Sequence, residues 1–98
     1  MTITKQQDDT TLTLILEGRL DTTTAPELEA ELKQSMDGIT ALVLDMEKLV
    51  YLSSAGLRVI LGAQKQMNKQ GSMVVRHVND TIMEVFELTG FCDILTIE

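Results

Sequence analysis

Hydrophobic and polar positions alternate near the start of the chain, and this spacing predicts strands. Leu12, Leu14 and Leu16 are separated mainly by polar residues, which is the period-2 pattern of a strand with one buried face. Ile3–Gln7 is a weaker strand candidate, and the intervening Asp8-Asp9-Thr10 favours a turn. We therefore predict that the chain begins with a β-hairpin.

A different spacing follows and predicts the first helix. Thr24 and Glu27 fit the Thr-x-x-Glu capping box, with Pro26 in the first turn, where its missing N–H does no harm. Gly38 is expected to stop the helix. Between these signals, apolar residues recur at intervals of three and four and so share one helical face: Ala25, Leu28, Leu32 and Met36.

The middle of the chain contains its longest apolar stretch. Ala41–Met46 is apolar apart from Asp45, which indicates a strand covered on both faces, paired in parallel at the centre of a sheet. We interpret Glu47–Leu49 as a connection and Val50–Leu52 as a buried strand that runs into a loop. A helix is predicted to follow at once, from about Ser54 to Gln70.

The last third of the chain predicts two strands around a third helix. Met73–Val78 and Ile94–Ile97 are the strands. The helix is predicted to begin at Asn79-Asp80-Thr81, and Thr81 forms a second possible capping box with Glu84. Gly90 is expected to end it in a left-handed conformation, with two aromatic residues in contact across that ending: Phe86 and Phe91.

The order β-β-α-β-α-β-α-β predicts an α/β fold with a central mixed sheet of four to five strands and three to four helices. The crossovers are expected to be right-handed. The chain of 98 residues fits a single domain, residues 1–98. The loop after Leu52 would then lie at the carboxyl end of a central strand, where open α/β sheets usually carry their functional sites.

The bulk composition argues against several classes of function. A net charge of −7 disfavours nucleic acid as a direct partner, because neutralising phosphates needs a basic face. The single cysteine, Cys92, is too few for a disulfide or a zinc site and is interpreted as a small packed residue. No stretch approaches the roughly 18 apolar residues of a membrane span, and the N-terminus lacks the apolar segment of a signal peptide. We therefore expect a soluble cytoplasmic domain with no metal, no cofactor and no membrane insertion.

Two hydroxyls, Ser53 and Ser54, stand where the second helix should be capped. An N-cap serine lies beside the positive end of the helix dipole, so the fold would tolerate a phosphate there. The phosphate would still add about −1.5 to −2 charges to the surface, which is the basis of a switch. A plain structural cap is the alternative interpretation. Arg58, one turn beyond Ser54, could pair with such a phosphate or simply be solvated.

Five segments occur together, and in one order, over nearly the whole length of the chain: Glu17–Asp21, Ala25–Leu32, Leu42–Asp45, Tyr51–Leu61 and Leu88–Phe91. Together they resemble the STAS domain family, as found in bacterial anti-sigma factor antagonists. Each segment is weak evidence alone, but their combination is specific. The resemblance implies a STAS-like fold and a regulatory binding protein rather than an enzyme.

The resemblance also implies a mechanism. In this family the unphosphorylated antagonist binds an anti-sigma factor, often a serine kinase of the histidine-kinase-like ATPase type, and thereby frees a sigma factor. The kinase phosphorylates a hydroxyl in an Asp-Ser-x-Gly-Leu loop, which abolishes binding, and a metal-dependent serine phosphatase removes the phosphate. The acceptor position corresponds to Ser54; Ser53 replaces the family's aspartate and is an alternative acceptor. The partner-binding residues would be Asp21, Thr22, Ser53, Ser54, Ala55, Gly56, Leu57 and Arg58.

Two alternatives stay open. The same fold could serve as a soluble STAS regulatory subunit of a transporter or signalling scaffold. A more remote alternative is a small hydrolase or phosphotransfer enzyme that uses Ser54 with His77, the only histidine. No third group completes a catalytic triad with this pair, and the chain has no glycine-rich phosphate loop with a lysine.

Overall fold

Four strands and three helices make up the fold, and the strands lie in one sheet in the order of the chain. The computed structural model describes residues 1–98. The elements are β1 (Thr2–Asp8), β2 (Thr11–Leu20), α1 (Ala25–Ser35), β3 (Ala41–Leu52), α2 (Ser54–Gln70), β4 (Ser72–Arg76) and α3 (Asp80–Thr89), followed by a short 3-10 turn at Phe91–Asp93.

The pairing of the strands confirms the predicted mixed sheet. β1 runs antiparallel to β2, through a turn in which Asp9 adopts a positive φ of 57°. β3 pairs in parallel with β2 on one side and with β4 on the other. Because parallel neighbours end at the same edge of a sheet, the loops after β2 and β3 emerge side by side.

The helices bury one face of the sheet. Leu14 and Leu44 lie at its centre and are fully buried. They share one hydrophobic cluster with Leu28 of α1, Ile60 of α2 and Phe86 of α3. The alternate positions along β3 are only half-buried. The prediction that β3 is covered on both faces is therefore wrong, because all three helices contribute to the same cluster.

β3 is one strand of 12 residues, and the predicted connection at Glu47–Leu49 is wrong. Two β-bulges each insert one extra residue into β3 relative to β2. Each bulge lengthens the interval between inward-facing residues from two to three. Met46, Leu49 and Leu52 therefore all remain buried, although two polar residues separate the first pair.

The C-terminal part departs from the prediction at both strands. β4 ends at Arg76, because His77 adopts a left-handed conformation with φ 59° and cannot continue an extended strand. Ile94–Ile97 is not a strand, since only Ile97 forms a bridge, to Val75. Cys92 is exposed rather than packed, because it lies in the 3-10 turn after α3.

Neither predicted capping box forms. The Thr24 hydroxyl donates to the Arg19 carbonyl at 2.8 Å and makes no bond to the first turn of α1. At α3 the N-cap is Asn79, whose side-chain oxygen accepts from the Ile82 N–H at 2.9 Å. Thr81 therefore lies within the helix. At α1 the Arg19 carbonyl thus engages the hydroxyl that was expected to cap, and at α3 a different residue caps the helix.

The ending of α3 is as predicted. Gly90 is left-handed, with φ 78°, and the Phe86 and Phe91 rings stack with their centroids 6.4 Å apart. α1 ends at Ser35, slightly before Gly38, which also has φ 78°. Glycine is suited to both positions because it lacks a Cβ.

Candidate functional site

One backbone hydrogen bond joins the loops that follow β2 and β3. The Ser53 N–H donates to the Leu20 carbonyl at 2.9 Å. This bond places Asp21 and Thr22, which come directly after β2, beside the start of α2. The structure thus brings together, at one end of the sheet, the residues for which the sequence predicts a partner-binding role.

Ser53 and Ser54 lie in different environments. Ser53 is the half-buried N-cap of α2, and its Oγ accepts from the Gly56 N–H at 3.3 Å. Ser54 is the first residue of the helix and is exposed. Its hydroxyl makes no hydrogen bond within the chain. The Ser54 hydroxyl is therefore accessible from outside the chain.

Asp21 is fixed by a turn of threonines. Its Oδ1 accepts from the Thr23 hydroxyl at 2.8 Å and from the backbone N–H groups of Thr23 and Thr24 at 3.0 Å and 3.1 Å. The bond from the Thr23 hydroxyl is the strongest influence on the pKa of Asp21. Together with the two N–H groups it holds that pKa below the ordinary value, against the opposing effect of desolvation. At neutral pH the site therefore contains a fixed negative charge.

A cation beside Asp21 is a feature that sequence reasoning missed. The Arg19 Nε lies 3.7 Å from the Asp21 Oδ2, and the Arg19 guanidinium lies over the Tyr51 ring, 4.1 Å from its centroid. The pairing of Arg19 with Tyr51 across β2 and β3 makes this contact possible. That register depends on a bulge at Val50, so no pattern local to either strand could have revealed the pair.

Gly56 and Leu57 lie beneath the surface at this end of the sheet. A Cβ at Gly56 would be 2.7 Å from Leu20 Cγ and 2.8 Å from Leu52 Cδ1, so α2 packs there without room for a side chain. Leu57 belongs to the hydrophobic core. Both residues position the loop, whereas the other six predicted partner-binding residues are exposed or half-buried: Asp21, Thr22, Ser53, Ser54, Ala55 and Arg58.

The structure does not bring His77 and Ser54 together. The His77 Nδ1 lies 3.1 Å from Asp45 Oδ2 and 4.0 Å from Glu47 Oε2. Asp45 lies well before the end of β3, about 20 Å from the Ser54 loop at the usual rise of a strand. The arrangement therefore provides no Ser–His pair for hydrolysis.

The three side chains around His77 are also potential metal ligands. Asp45, Glu47 and His77 place their ligand atoms within 4.8 Å of one another. Glu47 and His77 are exposed, and Asp45 also accepts a bond from the Glu47 N–H at 3.1 Å. Exposed groups of this kind are common without a metal, so the geometry alone assigns none. None of the helices has both the length and the apolar character needed to cross a bilayer.

The whole chain can be compared with known families. Residues 2–98 match the STAS domain. The chain belongs to the STAS domain family. This STAS domain is 39% identical over 99 residues to BtrV of Bordetella bronchiseptica, provisionally named an anti-sigma factor antagonist; the match covers 99% of this chain and 85% of BtrV. It is 32% identical over 97 residues to the anti-sigma-B factor antagonist of Listeria monocytogenes, covering 96% of this chain and 84% of that protein.

Solved structures confirm the fold of this STAS domain. The Bacillus cell fate determinant SpoIIAA in its phosphorylated form superposes with a TM-score of 0.78 at 18% sequence identity. The superposition covers 99% of this chain and 91% of SpoIIAA. The predicted STAS-like arrangement of a mixed sheet with three helices is therefore confirmed.

Proposed function

We propose that this STAS domain is an anti-sigma factor antagonist, which in its unphosphorylated form binds an anti-sigma factor and so releases a sigma factor. Both relatives described above carry that name. The observation that carries the proposal is the exposed, unpaired Ser54 hydroxyl at the point where the loops after β2 and β3 meet. We expect it to act by binding rather than by catalysis, since His77, the only histidine, lies beside Asp45 and not beside that hydroxyl.

Ser54 is the better phosphate acceptor of the two serines. Transfer of a phosphate requires a hydroxyl that a kinase can reach, and Ser54 is exposed whereas Ser53 is half-buried. The Ser53 Oγ also caps α2 through the Gly56 N–H, so its modification would remove a bond that the fold uses. Modification of Ser54 leaves that bond in place.

A phosphate on Ser54 would act on binding and not on folding. It would lie at the positive end of the α2 dipole, which tolerates an anion. It would add about −1.5 to −2 charges and a shell of bound water to a surface that must be desolvated when a partner docks. Repulsion and desolvation of this kind weaken binding by several kcal/mol, or about a hundredfold and more.

Phosphorylation gives the anti-sigma factor a second role and requires one further partner. The anti-sigma factor would itself be a serine kinase of the histidine-kinase-like ATPase type, and a metal-dependent serine phosphatase would restore the binding form. Support comes from SpoIIAA, a protein of the same fold that has been solved in a phosphorylated form.

The test is a titration of the purified chain against each ATPase-type anti-sigma factor encoded in the source genome, by isothermal calorimetry. The unmodified chain should bind one of them, and Ser54→Asp should weaken that complex by about a hundredfold. Ser54→Ala should bind as the unmodified chain does. Ser72→Asp is the matched control, because it adds the same charge at an exposed position at the start of β4, the other end of the sheet.

Failure to bind any of these proteins would exclude the antagonist function. The acceptor is identified separately, by incubation with the binding kinase and ATP followed by mass spectrometry. Phosphate is expected on Ser54 and should be lost in Ser54→Ala. Phosphate on Ser53 would contradict the assignment of the acceptor but not the antagonist function.

A further inference from the structure

A groove runs along the outer surface between α1 and α2. It consists of two adjoining hollows, of about 210 Å³ and 170 Å³, which share Glu29, Arg58 and Val59 as lining residues. One hollow also reaches Thr22 and Ala55 beside the Ser54 loop. The other continues along α2 towards its C-terminal half. We call this surface, from Thr22 to Gln66, the α1–α2 groove.

Gly62 keeps this groove open, and the fold itself gives no reason for a glycine there. Gly62 lies in the interior of α2, where glycine is among the poorest helix formers. A Cβ at Gly62 would meet no atom within 4 Å, whereas a Cβ at Gly56 would collide with Leu20 and Leu52. The absent side chain therefore leaves room for something outside the chain to approach the helix backbone.

The charges of the residues that line the α1–α2 groove indicate which kind of partner it binds. Arg58 lines both hollows and is the only arginine without an ion pair, since Arg19 lies 3.7 Å from Asp21 and Arg76 lies 3.0 Å from Glu98. Glu29, on the α1 side, is already paired with Lys33 at 3.6 Å. The uncompensated charge at the α1–α2 groove is therefore positive, on a chain with a net charge of −7.

We propose that the α1–α2 groove receives a helix of the anti-sigma factor, which presents a carboxylate to Arg58 and packs a side chain over Gly62. This inference rests on the proposed function and extends its surface along α2. A groove between two helices suits a third helix packed against both, and small residues let the backbones approach closely. A second copy of the chain fits less well, because two molecules of −7 charge repel each other.

The first test fills the groove without harming the fold. Gly62→Leu places a good helix former in open space, so the melting temperature should stay the same or rise. Affinity for the anti-sigma factor that binds the unmodified chain should fall by about tenfold or more, because the added side chain occupies the space of the incoming helix. Lys65→Leu is the matched control. It adds the same side chain to an exposed position of α2 outside the groove and should change the affinity less than about twofold.

The second test identifies the carboxylate. Arg58→Glu should weaken the complex, and one Asp→Lys or Glu→Lys substitution in the anti-sigma factor should restore it. If the unmodified chain binds and Gly62→Leu binds equally well, the groove is not part of the interface, while the antagonist function stands. If no anti-sigma factor binds, both proposals fail. A dimer in analytical ultracentrifugation that Gly62→Leu abolishes would assign the groove to a second copy and overturn the proposal.

Discussion

At the scale of single residues, two neighbouring serines have different physical roles. The first four N–H groups of a helix have no partner within the helix, and the Ser53 Oγ satisfies one of them, at Gly56. The Ser54 hydroxyl satisfies none. The position that stabilises the fold and the position open to modification are thus separate, so that a change at Ser54 need not affect the stability of the domain.

This separation predicts different losses of stability for the two alanine substitutions. Ser53→Ala should lower the free energy of unfolding by about 1 kcal/mol, because the N-cap bond is lost. Ser54→Ala should change it by less than about 0.5 kcal/mol, because an exposed, unpaired hydroxyl is removed. Urea denaturation followed by circular dichroism measures both. Ser53→Asn, which can still cap the helix, should recover most of the loss; equal losses for the two alanines would contradict the division of roles.

Asp21 gives the stability a dependence on pH with a definite sign. Because its pKa is lowered in the folded chain, the ionised carboxylate stabilises the fold above the unfolded pKa, about 3.9. That contribution is lost as the pH falls through the lower, folded pKa. Asp21→Asn should therefore lower the melting temperature at pH 7, and the difference from the unmodified chain should shrink below about pH 4.

The control for Asp21 is another aspartate that makes no comparable bonds. Asp37→Asn changes an exposed carboxylate beyond the end of α1. The difference in melting temperature between Asp37→Asn and the unmodified chain should stay small and constant between pH 7 and low pH. If the difference in melting temperature between Asp21→Asn and the unmodified chain persists unchanged to about pH 2, the turn at Asp21 does not depend on the charge of its carboxylate.

At the scale of elements, the spacing of apolar residues was sufficient to predict each element that is defined by its own sequence. The hairpin, the buried face of α1 and the bounds of α2 all follow from periods of two or of three to four. Glu47 and Lys48 resemble a connection because a β-bulge depends on the register with β2, which a period-2 pattern does not contain. The capping box at Thr24 does not form because its hydroxyl donates to the Arg19 carbonyl, outside the helix.

The candidate site likewise includes features that a local sequence pattern does not contain. Loop position and capping chemistry were enough to place Ser53 and Ser54 at the end of a central strand, whereas Asp21 was placed beside them only by the resemblance to the STAS family. The contact of Arg19 with Tyr51 and the α1–α2 groove were not predicted, because each depends on two elements that meet only in the folded chain. Gly62 was the one local signal of the groove, since a glycine within a helix needs a reason.

Two glycines of α2 predict opposite effects of the same substitution. Gly56→Ala should destabilise the domain by about 1–3 kcal/mol, because the new Cβ would lie within 3 Å of Leu20 and Leu52. Gly62→Ala should stabilise it by about 0.5–1 kcal/mol, because its Cβ points into open space and alanine favours the helix. Thermal unfolding of the two variants compares them directly. A loss of stability in Gly62→Ala would show that the fold does require that glycine.

At the scale of the whole molecule, stability rests on one aliphatic core on one side of the sheet. Aromatic residues make up only 3% of the chain, so leucine, isoleucine and methionine provide most of the buried surface. Leu44 is fully buried on the central strand β3, whereas Leu88 is 81% exposed on α3. These two leucines therefore separate the contribution of the core from that of the surface.

Leu44→Ala should cost about 2–5 kcal/mol, from lost burial and from the cavity that remains. That is a large part of the roughly 5–15 kcal/mol by which native domains are stable. Leu88→Ala should change the free energy of unfolding by less than about 0.5 kcal/mol. Denaturant unfolding measures both variants. A large loss for Leu88→Ala would mean that the α3 surface is covered in solution, by another copy of the chain.

The hydrogen bond from Ser53 to Leu20 has a consequence for the kinetics of any encounter at this end of the sheet. The loop is ordered before a partner arrives, so docking requires little further loss of conformational entropy. Association should then be limited by the orientation of the two molecules, at about 10⁵–10⁷ M⁻¹s⁻¹. Substitutions on the exposed face should chiefly change how long a complex survives, and how often it forms should remain nearly constant.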